Sequence, residues 1–326
     1  MKHIIILVPE KAVLGSVEGP RQLFAQVNQF CIAAGKDPLF KIQLVAQKKE
    51  IPVSGGLITV HADALLKDAP TPDLVIIPAF DDDIPSAIAK NSGFVPWIKE
   101  QHSKGAEVAS LCMGAFILAS TGLLDGKRCA THWVAANEFI RMFPQVNLIA
   151  ERIITDENGL YSSGGAFSYL NLILYLIEKY AGREMAILCA KVFAIEIERK
   201  SQSPFIMFRG QTEHNDDPVK KAQEFIEVNF QEKITVDQLA DISGLSRRSF
   251  ERRFKKATNN TVAEYIQRVK VEAVKKDLET SNKNINEAMY DVGYSDTKAF
   301  RSTFKRITGL SPVQYKNKYN MGMAVN

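Results

Sequence analysis

The chain has 326 residues, enough for two domains, and its 46% hydrophobic and 24% charged residues describe a folded globular protein and not a disordered or fibrous one. Its four cysteines (Cys31, Cys112, Cys129, Cys189) show no disulfide-framework or metal-ligand spacing. The apolar run Ile4 to Val8 is too short for a signal-peptide core or a membrane span. A cytoplasmic protein without metal or cofactor is therefore expected. The formal net charge is +4; residues 212–326 hold 20 Lys+Arg against 16 Asp+Glu, which is the whole of the excess.

The first half alternates strands and helices. Lys2 to Pro9 reads as a strand covered on both faces. After the loop Val13 to Pro20, Pro20 is expected to open a helix, where its missing N–H costs little. Lys41 to Gln47, Leu57 to His61, Asp73 to Phe80 and Val108 to Leu111 read as further strands. Helices are expected over Trp97 to Lys104, Ala115 to Ser120, Phe167 to Tyr180 and Ala181 to Glu198. The pattern predicts an α/β fold, a doubly wound and mostly parallel sheet of the flavodoxin-like type.

The turn from Leu111 into Cys112, Met113 and Gly114 is the chemically informative one. A sharp strand-to-helix turn lifts a side chain above the carboxyl edge of the sheet, the usual ligand side. The following helix N-terminus would favour a thiolate there. Gly114 would let a bound molecule approach the backbone.

Several runs here, Leu111-Cys112-Met113-Gly114-Ala115-Phe116, Thr121 to Gly126, Thr131-His132-Trp133 and Ser162-Ser163-Gly164-Gly165, resemble the ThiJ/PfpI superfamily, relatives of class I glutamine amidotransferases. The resemblance covers about residues 3 to 195 and points to the subgroup called GlxA-like regulators. It implies a pocket centred on Cys112, with Glu18 on the first loop touching it and His132 nearby. Met113, Gly114 and Trp133 would complete the pocket, and Gly164 and Gly165 are read as a turn or as an N–H cradle for an anionic group. Hydrolysis is not expected. Proteases of this superfamily place His directly after the Cys, where this chain has Met113, and no third group is evident to orient His132. An amidase, hydratase or glyoxalase-like activity and a Cys112 redox sensor are the alternatives. A domain of residues 1–199 is expected to sense a small molecule and to form a homodimer. A linker would span 200–216, and a second domain 217–326.

That second domain contains one unit twice. In each, a short helix leads through Gly244 or Gly293 and a Ser N-cap (Ser246, Ser295) into a second helix bearing paired phenylalanines, Phe250/Phe254 and Phe300/Phe304. Residues four apart share one helix side, so the Phe pairs face inward. The other side carries Arg247, Arg248, Glu251, Arg252 and Lys255 in the first copy and Thr297, Lys298, Arg301, Ser302 and Lys305 in the second. Guanidinium and ammonium groups pair with phosphate, and Arg reads guanine edges. Val292-Gly293-Tyr294-Ser295, Phe304-Lys305-Arg306 and Thr308 to Tyr315 resemble the DNA-binding domain of AraC/XylS-family regulators over about Asp217 to Tyr319. The resemblance implies double-stranded DNA and the transcription machinery as partners, and two helix-turn-helix units joined by a long helix over about Thr261 to Thr280. It implies two recognition helices in adjacent major-groove segments, about 34 Å apart. Joined to the first half, this makes a regulator whose effector alters promoter binding.

Overall fold

The computed structural model describes residues 1–197, 201–212 and 214–320. The chain divides into two compact units, Met1–Gln202 and Ser203–Asn326.

The first unit is built on a seven-stranded sheet of β1 (Lys2–Leu7), β2 (Phe40–Ala46), β3 (Ala64–Leu65), β4 (Leu74–Ile77), β5 (Glu107–Leu111), β6 (Ile154–Asp156) and β7 (Leu160–Ser163). Its strand order is β6-β7-β5-β4-β1-β2-β3, and every neighbouring pair is parallel except β6 with β7. Strand β1 shows why the sequence reads as a continuous apolar run. Ile4 and Ile6 enter one core and Ile5 and Leu7 the other, so both faces are buried.

Helices α1 (Leu14–Ala33), α6 (Tyr169–Ala181) and α7 (Arg183–Val192) close the first core through Phe24, Leu172 and Cys189. On the opposite face lie α2 (Ile84–Lys90), α3 (Phe94–Ser103), α4 (Ala115–Ala119) and α5 (Ala136–Met142), where Phe116 meets Phe139 edge to face at 5.0 Å. A two-stranded hairpin, Glu50–Val53 with Ile58–His61, stands beside the sheet.

Two expectations for this half change. Pro20 lies inside α1, which starts six residues earlier. The start is fixed because the Ser16 hydroxyl donates to the Val13 carbonyl (2.7 Å) and accepts from the Ala79 N–H (3.0 Å). The helix expected over Ala181 to Glu198 ends at Val192, with Ala194 at φ 52; Glu198 falls outside the described residues.

The second unit has only helices and turns among its described residues: α8 (Asp217–Asn229), α9 (Val236–Ile242), α10 (Arg247–Thr258), α11 (Val262–Thr280), α12 (Ile285–Asp291), α13 (Thr297–Thr308) and α14 (Pro312–Tyr319). It has two cores. Phe250, Phe254, Val262, Tyr265 and Val269 share one; Val271, Val274, Leu278, Phe300, Phe304 and Tyr315 share the other. Residues 203–212, expected within the linker, are tied to this unit. Lys275 Nζ donates to the Ile206 carbonyl (2.6 Å), the Phe208 N–H donates to Glu272 (3.0 Å), and the Phe208 ring stands on Tyr265.

Glu107 organises the amino edge of the sheet. Burial alone would raise its carboxyl, but hydrogen bonds from Lys179, Tyr180 and Tyr161 outweigh burial and hold it below the ordinary range. A lowered folded-state value means the stabilisation is present above about pH 4.5 and is lost as acid protonates the group. Glu107→Gln should therefore cost about 1–3 kcal/mol at pH 7. Its denaturant stability should then fall less steeply between pH 5 and pH 3 than that of the wild type; parallel curves would contradict the assignment.

Candidate nucleic-acid interface and effector pocket

The duplication in the second unit extends to single bonds. Phe250, Phe254, Phe300 and Phe304 are fully buried. Thr258 closes α10 by donating to the Phe254 carbonyl (2.8 Å), and Thr308 closes α13 by donating to the Phe304 carbonyl (2.9 Å). Each helix then ends in a left-handed residue, Asn259 at φ 56 and Gly309 at φ 75. A capping box follows each: Thr261 with Glu264, and Ser311 with Gln314. Gly244 (φ 64) and Gly293 (φ 76) make the turns before the second helices, as their sequence position requires. At Gly293 a Cβ would also lie 2.0 Å from the Gln231 carbonyl oxygen.

The caps of the second helices depart from expectation. Ser246 occupies the N-cap position of α10 without a side-chain cap bond. In the second copy the cap is Asp296 and not Ser295. Its carboxylate accepts from the N–H groups of Lys298 (2.8 Å) and Ala299 (3.2 Å), a stronger acceptor than a hydroxyl at a helix N-terminus. The first helix of the unit is capped by Asp216, whose carboxylate accepts from the Val219 N–H (3.2 Å).

Ser246, Arg247, Arg248, Glu251, Arg252, Lys255, Lys298, Arg301, Ser302 and Lys305 are exposed, and Thr297 is half-buried. The basic groups are not equivalent. Arg247 is held by Asp237 (3.2 Å) and faces Glu251 (3.8 Å), and Lys255 donates to the Asn259 carbonyl. Among the described residues, no side-chain hydrogen bond or ion pair engages Arg248, Arg252, Lys298, Arg301 or Lys305, which leaves these five cations for an outside partner. Sequence reading missed Arg253, which turns away from this face. Its guanidinium makes two 2.8 Å bonds to Asp216 and so locks α10 to the start of α8. The partner lies 37 positions upstream, beyond any local spacing rule.

In the first unit, Cys112 sits at the carboxyl end of β5 with φ 53, left-handed and strained for a side-chain-bearing residue. The elbow is as expected; its chemistry is not. Cys112 is 6% exposed, and burial pushes its thiol up to about 12 despite a hydrogen bond from the Met113 N–H. The helix that follows has only five residues, so its dipole is weak, and the thiolate expected there is disfavoured. Glu18 lies within α1, not on a loop. Both its oxygens accept from Arg21 (2.5 and 2.6 Å), whose guanidinium holds the carboxyl below its ordinary range.

His132, half-buried, is the N-cap of the short turn Trp133–Ala135. Its Nδ1 accepts from the Val134 N–H (3.2 Å), and burial lowers its pKa, so the ring is neutral with the proton on Nε2. The Trp133 ring lies beside it at 5.6 Å. Met113 is half-buried.

The glycines have packing reasons. A Cβ on Gly114 would stand 2.3 Å from the Ile77 carbonyl oxygen, so close approach to β4, not to a ligand, demands glycine. At Gly164 a Cβ would meet the Gln202 amide at 2.3 Å, and Gly165 has φ 75. Cys31, Cys129 and Cys189 are core residues. A cavity of about 300 Å³ opens at the carboxyl ends of β1 and β2, lined by Val8, Glu10, Lys11, Lys48, Glu50 and Ile51; none of the residues expected around Cys112 lines it.

A pair of basic helix-turn-helix units joined to an α/β unit with a buried, strained elbow defines a two-domain DNA-binding transcriptional regulator. Comparison with known proteins agrees. A family model described as a helix-turn-helix domain matches residues 239–318, and that of the DJ-1/PfpI family matches residues 22–179. The HTH-type transcriptional regulator ArgR of Pseudomonas aeruginosa is 27% identical over 244 residues, 74% of this chain and 73% of that protein. The regulator GbdR of the same species is 26% identical over 278 residues, 85% of this chain and 74% of that one. The crystal structure of an AraC family transcriptional regulator from Pseudomonas putida covers 59% of this chain and all of its own, with TM-score 0.52 and 15% identity, a likeness of fold. The chain thus carries a helix-turn-helix domain and a DJ-1/PfpI-family domain and is similar over most of its length to HTH-type transcriptional regulators. Among the described residues, no helix is long and apolar enough to cross a membrane.

A thiol near pKa 12 is protonated at neutral pH. Since the thiolate is the reacting species, iodoacetamide should modify Cys112 at pH 7.5 about a thousandfold more slowly than a cysteine of ordinary pKa. Peptide mapping of the alkylated protein checks this. Labelling at the rate of free cysteine would restore a nucleophilic role.

Proposed function

We propose that the protein is an effector-responsive regulator, in which a small metabolite bound around Cys112 alters the occupancy of promoter DNA by the two helix-turn-helix units. The observation that carries the DNA half is the pair of exposed helix faces with five unengaged cations, repeated on two copies of one fold. A free cation on the exposed face of a recognition helix gains more from a phosphate or a guanine edge than one already paired. The effector half rests on Cys112 at the carboxyl end of β5, to whose carbonyl the hydroxyl of Thr131 donates, the residue before His132 and Trp133. Such an edge binds small molecules in this class of fold. The first unit is taken to dimerise, which would place four recognition helices on a two-fold site, and the transcription machinery is the further partner.

Arg248→Ala and Arg301→Ala each remove one unengaged cation. If the side chain reads a base, the loss is about 1–3 kcal/mol and sequence preference relaxes at that position. If it touches phosphate, affinity falls uniformly and the salt slope drops by about 1. Fluorescence anisotropy with duplexes selected in vitro separates these cases, and unchanged affinity in both variants removes the assigned face. For the effector, a thermal-shift screen over amino acids, quaternary amines, nucleosides and small carbonyl compounds should give a stabilising hit. That hit should vanish in a His132→Ala variant and should not be consumed over time.

A further inference from the structure

Gln202 is the last residue of the first unit, and Ser203 begins the second. A polar side chain at a domain junction is ordinarily solvated, yet Gln202 is only 1% exposed. Its amide nitrogen donates to three carbonyls, those of Ala150 (2.5 Å), Thr131 (3.0 Å) and Arg152 (3.3 Å), and its backbone N–H donates to Glu151 (2.9 Å). Three acceptors around one atom fix which end of the amide is nitrogen, since a carbonyl has nothing to donate. Gly164 carries no side chain because this amide occupies the place of its Cβ.

Thr131 is the residue that connects this contact to the elbow. Its carbonyl accepts from Gln202, and its buried hydroxyl donates to the carbonyl of Cys112 at 3.0 Å. The next residue is His132. A continuous run of hydrogen bonds therefore leads from the elbow through Thr131 to the junction.

This run is incompletely satisfied. The Gln202 Oε1 is buried with no partner, and so is the hydroxyl of Ser163, the residue before Gly164. A buried acceptor without a donor is costly, and an apolar side chain of the same length would avoid that cost. The amide is kept at this position despite that cost, and its nitrogen is what ties the junction to Thr131.

We infer that Gln202 is the positioning residue through which occupancy of the Cys112 site reaches the DNA-binding unit. The inference rests on the reading of the first unit as an effector site. A change at the elbow alters the Thr131 bond and then the seat of Gln202, and Ser203 is covalently next. Coupling is reciprocal, so DNA bound to the second unit alters the elbow by the same route.

The reciprocal direction needs no identified effector. Hydrogen–deuterium exchange of the full chain is followed by mass spectrometry with and without a duplex selected in vitro on the wild type. Saturating duplex is expected to change amide exchange over residues 128–135 and 150–165 by about fivefold or more in the wild type. In Gln202→Met, which keeps length and loses the amide, the same peptides exchange alike with and without duplex. Circular dichroism verifies folding, and if Gln202→Met does not fold, Thr131→Val breaks the run from its other end with the same expected loss. A variant that keeps the wild-type change overturns the inference, and so does a wild type that shows no change. An effector found in the thermal screen with no duplex-induced change at the elbow removes this coupling and leaves the sensor reading intact. A duplex-induced change that Gln202→Met abolishes, with no effector found, supports the coupling and leaves the sensor reading without its ligand.

Discussion

One helix has to serve two hydrophobic cores. The 19 residues of α11 run about 28 Å at 1.5 Å per residue, and the two ends bury different partners. Val262, Tyr265 and Val269 belong to the core of the first helix-turn-helix unit; Val271, Val274 and Leu278 belong to that of the second. Neither core is closed without this helix, so the two units cannot drift apart while both remain packed. The helix length is of the order of one turn of DNA, about 34 Å. Fixing α11 therefore sets the spacing at which two proposed recognition faces present their cations. The capping box at Thr261 and the left-handed Asn259 before it fix where this spacer starts.

The first unit obeys a different constraint, close backbone approach at the carboxyl edge of a parallel sheet. Gly114 lies against the Ile77 carbonyl, where a Cβ would not fit, and Cys112 two residues earlier takes the left-handed region. Gly164 is required by Gln202, and Gly19 by the Tyr169 ring, whose hydroxyl reaches the Gly15 carbonyl at 2.6 Å. Packing accounts for these glycines without any bound molecule. What packing leaves unexplained are the unpaired polar groups of this region, the Gln202 amide oxygen and the Ser163 hydroxyl.

Elements whose signal is local were legible in the sequence. The alternation of strands and helices, the elbow, the paired phenylalanines and the glycine turns each follow from residues within a few positions of one another. Failures came where a distant group decided the matter. Ser16 bound to Ala79 moved the start of α1, and Lys275 and Glu272 drew residues 203–212 into the second unit. The division of the basic face into engaged and unengaged cations was equally hidden, because Asp237 stands ten positions from Arg247. The cap at Asp296 was missed for a simpler reason: Ser295 repeated the Ser246 of the first copy, and the parallel concealed the better acceptor beside it.

The elbow shows how one fold carries different functions. A strained Cys at a strand-to-helix turn is catalytic when a base lies beside it and a dipole or cation lowers its pKa. Here the thiol is buried and its pKa is raised instead of lowered, the His132 ring spends Nδ1 on the Val134 N–H, and Glu18 is bound to Arg21. The geometry that presents a side chain above the sheet survives, while the charges that would make it react have been neutralised or turned elsewhere. A site of this kind retains shape and hydrogen-bonding groups, which are what recognition needs, and lacks the perturbed proton donors and acceptors that turnover needs.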